Sequence, residues 1–180
     1  VESDRTDLRR VLVREAMALL GDGAAEISLR SVARAAGVSA MAPYRHFPDK
    51  AALLGAVAEE GFRALQAELE AADDSARGAD ALVAQGLAYI AFAARHPALF
   101  RLMFAARDTA CIPREAGDGA YGVLARRVAA LSPGDREART LGCWAMVHGL
   151  ATLSLDGRLS AGLDEVRLVL ALLTRDLGEE

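Results

Sequence analysis

Residues 28–50 read Ser-Leu-Arg-Ser-Val-Ala-Arg-Ala-Ala-Gly-Val-Ser-Ala-Met-Ala-Pro-Tyr-Arg-His-Phe-Pro-Asp-Lys. Two short helical patterns, each preceded by a serine, are joined by a turn on Gly37. Ser28 has the hydroxyl to cap the first, whose apolar side is Leu29, Val32 and Ala33, with Ala36 following. Gly37 suits the left-handed residue that ends a helix. Ser39 is placed to cap the second pattern, which carries Tyr44, Arg45 and His46. Pro43 falls early in that segment, where a missing backbone donor does least harm. Phe47-Pro48 ends it, and Asp49 caps the next helix. This is the grammar of a helix-turn-helix, whose second helix fits a DNA major groove.

Helical periodicity continues on both sides. Upstream, Leu8, Val11, Leu12, Ala16, Leu19 and Leu20 share one face until Gly21 and Gly23 stop the pattern. Downstream, Leu54, Val57, Phe62, Leu65 and Leu69 line a helix over about 50–72, and the polar stretch 73–80 with Gly78 reads as a loop. A helix over 82–95 breaks at His96-Pro97, because a residue before proline avoids helical geometry. Pro97 opens the next helix, 98–106. Residues 107–119 are irregular, with Pro113, Gly117 and Gly119; another helix follows to about Leu131, then a turn at 132–134. Leu163, Val166, Leu170, Leu173 and Leu177 step by 3, 4, 3, 4, as do Leu141, Trp144, His148, Ala151 and Leu155. The latter helix is apolar on its other side too, through Cys143, Val147 and Leu150, so it must be covered all round. One side suits its own core and the other a second subunit in a four-helix interface, for which Val147, Leu150, Leu163, Val166, Leu170 and Leu173 are the candidates.

Composition agrees with an all-α chain of about nine helices. Of 180 residues, 53% are apolar but only 5% aromatic, so Ala, Leu and Val build the core. Lys50 is the one lysine among 21 basic residues, a mark of GC-rich coding in a bacterium. The net charge of −4 argues against a nonspecific nucleic-acid coat. Residues 1–50 hold 8 basic and 7 acidic residues, whereas 51–180 hold 13 and 18, so DNA binding is expected at the N-terminal end. Cys111 and Cys143 have no metal-site spacing, and reduced thiols in the cytosol are expected. Val1–Arg10 is charged throughout, unlike a secretory leader, and the uncharged stretch Leu141–Leu155 is shorter than the roughly 20 residues a membrane span needs. A cytoplasmic protein is therefore expected.

Other chemistry is sparse. His46, His96 and His148 lie far apart with no acidic partner at metal spacing, and no Gly-rich phosphate loop, nucleophile elbow or carboxylate pair occurs. No cofactor or metal is expected, and an enzyme would have to show turnover dependent on His148 or Cys143. Phe62, Tyr89, Phe92, Phe104, Tyr121 and Trp144, with His148, are either plain core or the wall of a pocket for a small apolar or weakly polar effector.

Residues 8–54 resemble the DNA-binding domain of the TetR family of bacterial transcriptional repressors. The matching pieces are Ala16-Met17-Ala18-Leu19-Leu20, Ser28-Leu29-Arg30-Ser31-Val32-Ala33, Gly37-Val38-Ser39 and, most specific, Tyr44-Arg45-His46-Phe47-Pro48-Asp49-Lys50-Ala51-Ala52-Leu53-Leu54. Further on, His96-Pro97-Ala98-Leu99-Phe100-Arg101-Leu102-Met103-Phe104 and Trp144-Ala145-Met146-Val147-His148-Gly149-Leu150-Ala151 resemble the Trp-His-Gly type of C-terminal domain found in a subgroup of that family. The resemblance implies a DNA-binding domain over 1–50, an effector-binding and dimerisation domain over 51–180, a homodimer, a palindromic operator and a small-molecule effector. By position it assigns base-edge contacts to Arg30, Ala40, Met41, Ala42 and Arg45, and phosphate contacts to Ser28, Ser39, Tyr44, His46 and Lys50. Arginine forks onto guanine O6 and N7, which makes Arg30 and Arg45 the strongest base readers. Pro43 departs from the leucine that relatives often carry.

Overall fold

The structure, a computed structural model, describes residues 2–23, 27–105, 119–132, 134–160 and 162–175, with side chains from residue 7 onward. The described residues form eight α-helices and one 3-10 turn, with no strand. They are α1 (Glu2–Gly21), α2 (Leu29–Ala35), the 3-10 turn Pro43–Arg45, α3 (Lys50–Asp74), α4 (Gly78–Arg95), α5 (Pro97–Ala105), α6 (Gly119–Leu131), α7 (Arg136–Leu155) and α8 (Leu163–Thr174). No described helix is long and apolar enough to cross a membrane. The chain divides into two compact units, Val1–Gly61 with Ala98–Cys111, and Phe62–Pro97 with Ile112–Glu180.

The first unit closes over Leu12, Ala16, Val32, Phe47, Leu53, Val57 and Met103, all nearly sealed from solvent. Gly61 on α3 permits a close approach by α5: a Cβ there would lie 2.7 Å from Met103 Sδ and 3.1 Å from Leu99 Cδ1. The apolar stripe of α1 read from the sequence is the face that enters this core.

The second unit is built around α4, which packs against α6, α7 and α8. Gly86 marks the tightest of these crossings, since a Cβ there would sit 2.9 Å from Leu170 Cδ1 and 3.3 Å from Val147 Cγ1. Leu82 and Val128 are sealed together under Leu124, Leu131 and Cys143. Polar groups are drawn inward here as well, with Gln85 buried and Asp73 and Arg127 half-buried. Asp73 accepts hydrogen bonds from Gln85 Nε2 (2.6 Å) and, through both oxygens, from Arg127 Nε (2.7 Å) and Nη2 (2.8 Å). The Arg127 bond holds the Asp73 carboxyl below its ordinary range, and Asp73 in turn raises Arg127.

That network explains a departure from the expected loop at 73–80. Residues 73 and 74 complete α3, and Gly78 opens α4. Asp73 reads as loop chemistry in the sequence, but three hydrogen bonds satisfy it within the helix end. Of the expected irregular stretch 107–119, only Gly119 is described, and it begins α6. Cys111, Pro133 and Leu177 lie outside the described residues.

Candidate nucleic-acid interface

The interface begins with the entry to α2. Ser28 is extended (φ −138°, ψ 157°), and its hydroxyl accepts the Ser31 N–H at 3.1 Å. Ser31 Oγ accepts the Ser28 N–H at 2.9 Å, so two helix-end donors are satisfied reciprocally. At the other end Gly37 turns left-handed (φ +67°), and the Val38 N–H bonds back to the Ala33 carbonyl at 3.0 Å, as at a helix stop. α2 thus ends where the sequence places its end, with Arg30 exposed on its first turn.

The third segment differs from expectation. Ser39 does not cap an α-helix; residues 39–42 form a turn and Pro43–Arg45 a single 3-10 turn. An α-helix from Ser39 would need the N–H of residue 43 to reach the Ser39 carbonyl, and proline has none. The Ser39 carbonyl instead accepts the Ala42 N–H at 2.9 Å, three residues on. Pro43 then offers its own carbonyl to both the His46 and Phe47 N–H groups, each at 2.9 Å. The backbone is wound tighter than an α-helix and is held by its proline.

This winding sorts the side chains. Pro43 and Phe47 are buried, Phe47 at 2% exposure, and anchor the turn in the first unit's core. Ser39, Ala40, Met41, Tyr44 and Arg45 are exposed, while Ala42 and His46 are half-buried. Met41 is 68% exposed, a large cost for an apolar side chain left in water. Asp49 then caps α3 by accepting the Ala52 N–H at 2.8 Å, leaving Lys50 exposed at the first helical position. The outward set combines a guanidinium that can fork onto guanine, a thioether that can meet a thymine methyl, and a phenol and an ammonium suited to phosphate oxygens. Arg30 and the half-buried Ser28 stand on the preceding helix.

The expected effector residues divide. In the second unit Tyr89, His148, Trp144 and Tyr121 form a chain of rings: Tyr89–His148 centroids are 6.3 Å apart, His148–Trp144 5.6 Å and Trp144–Tyr121 6.1 Å. Tyr89 Oη lies 2.9 Å from His148 Nδ1. Burial pushes the Tyr89 phenol up and the His148 imidazole down, so one hydrogen bond joins two neutral groups. Phe92 is buried against His96 instead, Phe62 is half-buried, and Phe104 pairs with Phe100 in the first unit. Burial also pushes the Cys143 thiol up, which favours the thiol over the nucleophilic thiolate. An open groove of about 570 Å³, lined by Ala72, Ser75, Asp80, Val83, Leu87 and Arg167 among others, contains none of these rings.

The expected dimer residues divide too. Val147, Val166 and Leu170 are buried within the chain, the first and last against Gly86, and Leu150 is half-buried. Leu163 and Leu173 are exposed. Leu168, Val169 and Leu172 on α8 and Leu153 on α7, which lie outside the stripes read from the sequence, are exposed, and so is Leu141, the first residue of the α7 stripe. Leu168 and Leu172 are one helical turn apart, the spacing that would have revealed a second apolar side of α8.

Comparison with known proteins bears on both units. The family model for bacterial regulatory proteins of the tetR family matches residues 12–57, and that for the tetracyclin repressor-like C-terminal domain matches residues 82–177. A search of curated proteins found no match. Among solved structures, a protein with unknown function from Rhodococcus sp. RHA1 is 38% identical, with 96% of each chain covered and a TM-score of 0.80. A TetR family transcription regulator from Marinobacter aquaeolei VT8 shares the fold at 16% identity, with 97% of each chain covered and a TM-score of 0.70. So does the TetR-like transcriptional regulator LfrR from Mycobacterium smegmatis, in complex with proflavine, at 22% identity, 97% of each chain and a TM-score of 0.56.

Proposed function

Since the chain belongs to the TetR family of bacterial regulatory proteins, we propose that it is a sequence-specific, ligand-responsive repressor that binds a palindromic operator as a homodimer. It acts as a regulator and not as an enzyme. The observation that carries this reading is the outward set Met41, Tyr44 and Arg45 on a turn anchored by buried Pro43 and Phe47. Arg30, Ala40, Met41, Ala42 and Arg45 read base edges, and Ser28, Ser39, Tyr44, His46 and Lys50 hold the backbone.

A second copy of the chain supplies the other half-site. Seven large apolar side chains on α7 and α8 are 38–72% exposed. Together they offer on the order of 700 Å² of apolar surface, against about 800 Å² per partner in a standard interface. Gly142 and Gly149 add bare helix backbone, since a Cβ at either meets nothing within 4 Å. The C-terminal half, with Trp144, His148 and Gly149, is of the Trp-His-Gly type.

The effector is a small apolar or weakly polar molecule recognised around Tyr89, Tyr121, Trp144 and His148. The proflavine bound to LfrR, a regulator of the same fold, supports a small-molecule effector. Helix α3 runs unbroken from Lys50 to Asp74 and is one covalent route between the two functions. Effector binding acts by favouring a subunit arrangement that no longer fits the operator, which requires different affinity for the two states.

Two substitutions test the DNA reading. Arg45→Ala is expected to relax base preference, with about 1–3 kcal/mol of discrimination lost at one position of each half-site. Lys50→Ala is expected to weaken all duplexes alike and to flatten the salt dependence. Equal effects of both variants on selected and scrambled duplexes would overturn the assignment of Arg45 to base readout; salt-insensitive binding by the unmodified protein would overturn the repressor reading itself.

A further inference from the structure

Beyond the residues assigned above, Arg9 of α1 stands against the recognition turn. It is exposed at the rim of the α1 stripe, three residues before Leu12 and four before Val13, both buried. Its guanidinium carbon lies 5.3 Å from the centroid of the Phe47 ring, a cation–π contact. Phe47 is the buried residue between Tyr44 and Lys50, three positions from each. The contact places a permanent positive charge beside the segment that carries three of the proposed phosphate contacts, Tyr44, His46 and Lys50. Arginine remains charged at any working pH, and its N–H donors lie around the rim of the guanidinium plane, so a contact with the ring leaves them able to reach a phosphate. Among the described residues Arg9 enters no ion pair or hydrogen bond that would consume those donors.

We propose that Arg9 is a further DNA-backbone residue, pre-oriented on the Phe47 ring to donate to a phosphate of the duplex. The inference rests on the DNA-binding reading above. It extends the backbone contacts from the helix-turn-helix to α1. Phe47 acquires a second role, as the platform that holds the cation as well as the plug that seals the core. A held side chain loses less freedom on binding than a loose one, which is the benefit the ring provides.

The test compares the unmodified protein with Arg9→Gln and Arg9→Lys. Dissociation constants are measured on a duplex recovered from a random pool and on its scrambled counterpart, between about 50 and 200 mM salt. Gln keeps a planar group that can lie on the ring and loses the charge; Lys keeps the charge and loses the plane. Arg9→Gln is expected to weaken both duplexes by the same factor. It should also reduce the slope of log K against log salt by about 0.9 per phosphate, or about 1.8 for a dimer on both half-sites. Arg9→Lys is expected to keep the slope. The opposite pattern, with the slope intact in Arg9→Gln and affinity lost only in Arg9→Lys, would reduce Arg9 to a packing residue and overturn the proposal. A slope unchanged in both variants overturns it as well. If the unmodified protein shows no salt-dependent binding to any duplex, the DNA-binding reading fails first and this inference with it.

Discussion

The two units place polarity in opposite ways. In the first, the core is apolar, sealed by residues such as Phe47, Leu53 and Met103, and the side chains offered to solvent around the recognition turn include Arg30, Tyr44, Arg45 and Lys50. In the second, polar groups are drawn inward, as in the Asp73–Gln85–Arg127 network and the Tyr89–His148 pair, while leucines stand outward on α7 and α8. A surface that must meet phosphates gains from exposed charge, because counterions released from DNA drive the association. A surface that must meet another protein gains from exposed apolar area. Met41 is the exception in the first unit, an apolar residue at 68% exposure, and on the proposed DNA-binding reading thymine methyls are the apolar groups it would meet.

The sharpest way to break the contrast is to remove its anchor on the DNA side. Phe47→Ala would empty a site with 2% exposure and remove the ring under Arg9. A loss of about 3–5 kcal/mol in urea unfolding is expected; a loss below about 1 kcal/mol would mean that the turn does not depend on the core. Next comes the outward apolar face. Leu168→Glu with Leu172→Glu places two like charges one turn apart on that face, and a dissociation constant for the dimer at least about a hundredfold weaker is expected in sedimentation velocity, with helix content unchanged. An unaltered mass would show that these leucines are not the subunit contact.

The smallest effect is in the buried polar groups. Burial lowers the folded pKa of His148 from the ordinary imidazole value of 6.5, so the unfolded chain takes up the proton first. Its contribution to stability is therefore full above pH 6.5 and is lost as pH falls through the lowered folded value. The melting temperature should drop as the solution is acidified below about 6.5, and His148→Gln should flatten that drop. A melting profile with the same pH dependence in the variant would remove His148 from the buried set.

Most of the helices, and the caps and stops at Ser28, Gly37 and Asp49, were legible in the sequence because they follow local rules, whereas the segment after Ser39 was not. Ser28, Gly37 and Asp49 act where hydrogen-bonding and backbone preference say they should. Pro43 was legible as a helix-compatible residue, but its effect depended on which carbonyl lost its donor. The missing N–H left the Ser39 carbonyl to Ala42, and the segment tightened into a 3-10 turn. The orientation of α8 was not legible, because apolar residues occupy both of its sides. Gly86 decides the matter by admitting Leu170, and Val166 is buried on the same side, which leaves Leu168 and Leu172 outside. A glycine on one helix carries no sequence mark of the helix it will receive. For the same reason the ring chain from Tyr89 to Tyr121 could be listed by composition, whereas the separation of Phe92 and Phe104 from it required the packing.

Selection of bound duplexes from a random pool, followed by footprinting of the winners, tests the central claim most directly. The expected result is a near-palindrome protected at two half-sites about 34–36 Å apart or somewhat more, one for each recognition turn. Recovery of no preferred sequence, or protection of a single isolated half-site by a monomer, would contradict it.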